Sequence, residues 1–203
     1  MKRILFMALL ALALPMAAFA GSQVGFTNVT GTLSGSSAGL TLGGSVLAVV
    51  NGLNGLGVVT GDLGSLTFST GALTSGDINM GGTFAAGGSF VITGNGTNGI
   101  PNGVLFTGTF SDPVTWVLTT LANGTHQYTL KGSLSGTWYT GSTVVGITTQ
   151  LTINTGKGFF DGSTTLESGD TSISGVVPEP GSLTLLGTGL IGLAGLLRHK
   201  LKA

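Results

Sequence analysis

The stretch His126-Gln127-Tyr128-Thr129-Leu130-Lys131-Gly132-Ser133-Leu134-Ser135-Gly136-Thr137-Trp138 decides the fold class. His126, Tyr128, Leu130, Gly132, Leu134, Gly136 and Trp138 share one parity, and Gln127, Thr129, Lys131, Ser133, Ser135 and Thr137 share the other. A period of two with one apolar side is the pattern of a long, half-buried antiparallel strand, and its glycines are places for a bulge. Ile147, Leu151 and Ile153 alternate in the same way with Thr148, Gln150, Thr152 and Asn154. Leu66 and Phe68 alternate with Ser65, Thr67 and Ser69, and Val104, Phe106 and Phe110 form another row with Gly108 between them. Several one-sided strands must cover one another, which predicts an all-β domain, an antiparallel sandwich or a closed barrel. Leu130, Leu134, Trp138, Leu151 and Ile153 are its expected core.

Turn chemistry agrees. Asn-Gly begins at Asn51, Asn54, Asn95, Asn98, Asn102 and Asn123, with Asp161-Gly162 besides. Such pairs supply the positive φ angles of tight hairpins. Leu121-Ala122-Asn123-Gly124-Thr125 is the clearest, joining a strand around Trp116 to the one through Trp138. Gly71 to Ala86 is too rich in glycine for a helix. Gly31-Thr32-Leu33-Ser34-Gly35-Ser36 resembles Gly132 to Thr137, but no fixed period follows, so a β-solenoid ranks behind the sandwich and barrel.

Two motifs match only as strings. Gly94-Asn95-Gly96-Thr97-Asn98-Gly99 spells a dinucleotide loop, yet Ile100-Pro101-Asn102-Gly103 follows where a helix is needed, so it reads as a turn. Gly35-Ser36-Ser37-Ala38-Gly39 spells a nucleophile elbow, yet a strand rather than a helix follows from Leu40, and Ser37 reads as a turn serine.

The chain has 203 residues with 38 glycines and no cysteine. Packing and backbone ladders must hold the domain without disulfides, and no thiolate metal site can form. Between Gly21 and Val176 the only basic side chains besides His126 are Lys131 and Lys157, against Asp62, Asp77, Asp112, Asp161, Glu167 and Asp170. A nucleic-acid partner needs clustered lysine and arginine and is not expected. A hydrophobic fraction of 41% with many β-branched residues argues against disorder, and the lack of a Gly-X-Y period excludes collagen.

The termini carry addresses. Met1-Lys2-Arg3, the apolar Ile4 to Leu14 and Ala18-Phe19-Ala20 form a Sec signal peptide over residues 1–20. Residues 21–176 are then one Gly/Ser/Thr-rich extracellular domain. Residues 177–203 hold Val177-Pro178-Glu179-Pro180, an uncharged run from Leu183 to Leu197, and the basic end Arg198, Lys200 and Lys202 around His199. As a helix the run would reach about 22 Å, short of the roughly 30 Å bilayer core. Its basic end suits the cytoplasmic side. Gly189, Gly192 and Gly195 recur every third residue, unlike the four-residue small-residue motif of helix pairs.

That order of elements resembles the PEP-CTERM sorting signal of Gram-negative bacteria, and the resemblance covers Val177 to Lys202 only. It implies a membrane protease, exosortase, as partner. It also implies a precursor held in the inner membrane by the C-terminal helix, then release to the cell surface or an extracellular matrix. It associates the chain with biofilm and exopolysaccharide.

Within the body no catalytic, cofactor-binding or metal site is expected. His126 is the lone histidine there and lacks a recognisable partner. The six acids are scattered, although two could converge as in a glycosidase. Trp138 and Tyr139 point to opposite faces, with Trp138 inward. One core tryptophan and an incidental surface tyrosine is the plain reading, and in the carbohydrate-binding alternative Tyr139, with Trp116 beside it, would be the platform on which a sugar ring stacks. The expectation is an exported, non-catalytic envelope or matrix protein, with a secreted carbohydrate-binding module as the alternative and a secreted hydrolase third.

Overall fold

The computed structural model describes residues 23–174, and the signal segment and the sorting tail lie outside them. Fourteen strands form one antiparallel sheet: β1 (Gln23–Val29), β2 (Thr32–Ser36), β3 (Gly39–Asn51), β4 (Val58–Thr60), β5 (Gly64–Ser69), β6 (Leu73–Asp77), β7 (Gly81–Phe84), β8 (Gly87–Asn95), β9 (Asn102–Phe110), β10 (Val114–Thr120), β11 (His126–Trp138), β12 (Thr143–Asn154), β13 (Ser163–Thr165) and β14 (Ser168–Ser174). One 3-10 turn, Leu53–Gly55, follows β3. The described residues contain no α-helix.

The sheet closes. The order β12-β14-β1-β3-β5-β8-β9-β11 returns to β12 through the β11–β12 ladder, giving an eight-stranded antiparallel barrel. The first and last strands are neighbours, from Gln23 opposite Ser174 to Asn28 opposite Gly169.

At β11 the wall forks. Leu134 to Trp138 pair with β9, whereas His126 to Lys131 pair on the same side with β10. From β10 the sheet runs outward through three rungs to β7 and four more to β6.

Alternation in β11 fills the interior. Tyr128, Leu130, Leu134 and Trp138 are buried, as are Leu151 and Ile153 opposite them. Gly132 and Gly136 leave room for rings from the neighbouring strand β9. A Cβ at Gly132 would lie 2.6 Å from two Phe110 ring carbons, and one at Gly136 would lie 2.8 Å from Phe106 Cζ. The barrel core is an aromatic herringbone in which Phe68 and Phe90 each meet Phe110 edge-on, with centroids 5.9 Å apart.

Two bulges redirect side chains. Opposite Ser135, β12 carries an extra residue at Val145 and Gly146, the latter with a φ of +70° that only glycine takes easily, and Val145 is turned out to solvent. In β9 the register with β8 slips between Phe106 and Val104. Leu105 is thereby buried and Val104 is 52% exposed, which corrects the expectation that Val104 shares the inward row of Phe106.

The buried polar residues among those described are Asn28, Ser45, Thr70, Thr149 and Thr171, and apart from the bulged Val145 the outer face of β11, β12 and β14 is hydroxyl, amide or charged. A membrane barrel has the reverse pattern, with lipid-facing apolar residues. This wall is built to meet water.

Candidate functional site

Trp116 is not a platform. Val114 and Trp116 are buried and Leu118 is half-buried on the same face of β10, while Val117 between them is exposed, so the indole lies inside with only 2% of its surface accessible. It stacks on Tyr128 at 4.9 Å and meets Phe160 edge-on at 5.5 Å. Its Nε1 donates to the Ile78 carbonyl at 2.8 Å, and the Tyr128 hydroxyl donates to the Asn79 carbonyl. That hydroxyl also accepts from the Phe160 amide at 3.0 Å. The carbohydrate platform expected from Trp116 and Tyr139 is therefore not assembled. Tyr139 does face outward, 37% exposed, and its hydroxyl donates to Asn54 Oδ1.

His126 stacks on Phe159 with ring centroids 4.4 Å apart, and its Nδ1 sits 3.2 Å from Thr120 Oγ1. Phe159 is 48% exposed, an aromatic surface that the sequence did not single out because it lies in a loop outside any alternating run. Among the described residues no three of His, Asp and Glu are grouped to hold a metal ion. Three of the acids serve local structure: Asp77 Oδ1 accepts the amides of Asn79 and Met80, Asp112 accepts from Ser111, and Asp170 accepts from Thr27. Ser37 lies in the β2–β3 turn, where its carbonyl accepts the Leu73 amide. Gly96 to Pro101 make the β8–β9 connection, and Asn95 Oδ1 at the end of β8 accepts from Thr97.

A trough of about 720 Å³ lies on the outside of β11, β12, β14 and β1, flanked by Asn51 of β3 and by Pro113. Ladder register builds it. Ser133, Thr148, Ser172 and Gly25 face one another across the four strands, ending at Asn51. Two residues along, Lys131, Gln150, Asp170 and Thr27 form a second row. Thr27 Oγ1 donates to Asp170 Oδ1 at 2.7 Å, and Gln23 Nε2 donates to Ser172 Oγ. The residues of each row were visible in the sequence as the polar halves of alternating strands. Their meeting was not, because it depends on which strands pair and in what register.

The sorting residues Val177, Pro178, Glu179 and Pro180, the run from Leu183 and the basic Arg198, Lys200 and Lys202 lie outside the described residues. Residues 176–198 match the family model described as the PEP-CTERM protein-sorting motif. The class is thus set by the tail: an exported protein, sorted at the membrane by exosortase processing, of the kind found in Gram-negative bacteria. This chain joins that motif to an eight-stranded antiparallel barrel. No curated protein and no solved structure matches the chain.

Proposed function

We propose that the protein is a non-catalytic component of the cell envelope or extracellular matrix, exported through Sec on residues 1–20 and held at the inner membrane by its C-terminal apolar segment. Exosortase processing near Pro178-Glu179-Pro180 then delivers the barrel to the surface, where exopolysaccharide is the partner it meets. The match of residues 176–198 to the sorting motif carries this reading. Two features of the chain support it. The apolar run is about 15 residues, and Leu and Ile contribute only ~0.3–0.6 kcal/mol each at a helix centre, so lasting residence in the bilayer is marginal and a processing step follows naturally. The barrel interior is filled by side chains such as Phe68, Phe90, Phe106 and Phe110, leaving the outer wall as the surface that meets partners.

The test is replacement of Pro178, Glu179 and Pro180 together by alanine in a host that has the exosortase. The native chain should mature to a shorter form that leaves the inner membrane, and the variant should stay full-length and membrane-bound. Equal masses and equal membrane retention would make the tail a plain anchor.

A further inference from the structure

Neighbouring strands in a sheet lie about 4.8 Å apart, and same-face residues along one strand lie about 7 Å apart. The four strands of the trough therefore present two parallel rows across roughly 14 Å. The row of Ser133, Thr148 and Ser172 continues to Gly25, where no side chain rises before Asn51, and its short side chains make a floor. The longer Lys131, Gln150 and Asp170 stand beside it as a wall.

We infer that this trough binds an uncharged, hydroxyl-rich polymer: a neutral oligosaccharide strand lying across β11, β12, β14 and β1, about one sugar unit per strand. The exopolysaccharide partner proposed above supplies only the setting, and the chemistry of the trough supplies the ligand class. Serine and threonine hydroxyls both donate and accept, and the Gln150 amide does the same, which matches vicinal sugar hydroxyls. The formal charges of Lys131 and Asp170 cancel within one row, so nothing favours a polyanion, whether nucleic acid or a polyuronate. No exposed large apolar side chain lines the trough, which removes the anchor that an amphipathic helix or a lipid would need. The wall is a closed barrel and the floor side chains are short, so little freedom is lost on binding.

Without a stacking ring the affinity is modest, with Kd on the order of 0.1–1 mM for a hexasaccharide. The experiment uses the full-length chain in detergent, titrated by calorimetry with cellohexaose, laminarihexaose, maltohexaose and a hexagalacturonate. At least one neutral hexasaccharide should bind better than its trisaccharide and better than the uronate. Gln150→Ala and Asp170→Ala should each weaken that binding by about tenfold, the loss of one or two hydrogen bonds. Thr148→Trp, which blocks the floor, should abolish it, with the β-sheet spectrum of each variant unchanged.

Failure of all three neutral hexasaccharides to bind overturns the inference, as does preference for the uronate. It is equally overturned if the trough variants bind as the native chain does while Phe159→Ala does not, because the site would then be the His126–Phe159 stack. The alanine triplet at residues 178–180 leaves this titration untouched, so a failed sorting test and a failed binding test remain separate results.

Discussion

The two ends of β11 are held by different means. Around Gly132 to Trp138 the wall is a closed ladder with β9 on one side and β12 on the other, and Phe106 and Phe110 fill the space that glycines leave. Trp138 there packs ring to ring, 6.0 Å from Phe26. Around His126 to Leu130 the wall has forked, and the turn after β6 hangs from a hairpin whose join to β10 has only three rungs. There Trp116 Nε1 and the Tyr128 hydroxyl also donate to the Ile78 and Asn79 carbonyls, and the Phe160 backbone amide donates to the Tyr128 hydroxyl. Where the backbone ladder is continuous, side chains need only occupy volume. Where it is interrupted, buried aromatics with a polar tip replace the missing rungs.

The sharpest way to break this contrast is Trp116→Ala in the 21–176 domain, followed by urea unfolding. Truncating a buried tryptophan removes about 3–5 kcal/mol. Trp116→Ala should reach the upper end, near 5 kcal/mol, because it also leaves the half-buried Ile78 carbonyl without its donor. Trp138→Ala should cost about 3–4 kcal/mol. A loss of about 1 kcal/mol or less for Trp116 would mean that the fork does not depend on it.

Tyr128→Phe separates volume from polar ties. It should cost about 1–3 kcal/mol, since the Phe160 amide loses its acceptor and the Asn79 carbonyl its donor. Amide exchange should then accelerate in the β6–β7 turn while β8 and β9 keep their protection. Uniform acceleration along the chain would count against a locally tied fork.

The closed end has its own test. Gly132→Ala places a Cβ against the Phe110 ring and should cost about 1–3 kcal/mol by overpacking. Combining it with Phe110→Leu should recover part of that loss, and strict additivity would show that the two positions do not share space. The smallest effect is expected on the outer wall. Gln150→Ala, exposed on β12, should change stability by no more than about 0.5 kcal/mol, which makes it a clean binding variant.

Period two made the strands legible, and with them the burial of Leu130, Leu134, Trp138, Leu151 and Ile153. The Asn123-Gly124 hairpin was legible for the same local reason, since Leu121 and Thr125 close it through the bond from the Leu121 amide to the Thr125 carbonyl. Trp116 shows the rule neglected rather than defeated: Val114, Trp116 and Leu118 share a parity in β10 just as Leu134 and Trp138 do in β11. Val104 shows its real limit. One extra residue at Leu105 inverts the faces that follow, and nothing local marks it, because the bulge answers to the register with β8. The choice of barrel over sandwich was hidden for a related reason. It rests on the pairing of strands far apart in the chain, above all β1 with β14.

That last ladder also fixes an order of events. β1 needs β14 on one flank and β3 on the other, so the first strand of the barrel to be exported lacks one of its two partners until the last has followed. Such long-range pairing is slow, and an open edge exposed meanwhile invites the wrong neighbour. Ser174 completes the ring two residues before Val176, where the match to the sorting motif begins. Barrel closure and presentation of the cleavage signal therefore fall at the same moment of export, and a chain that has shown its tail has already delivered everything it needs to fold.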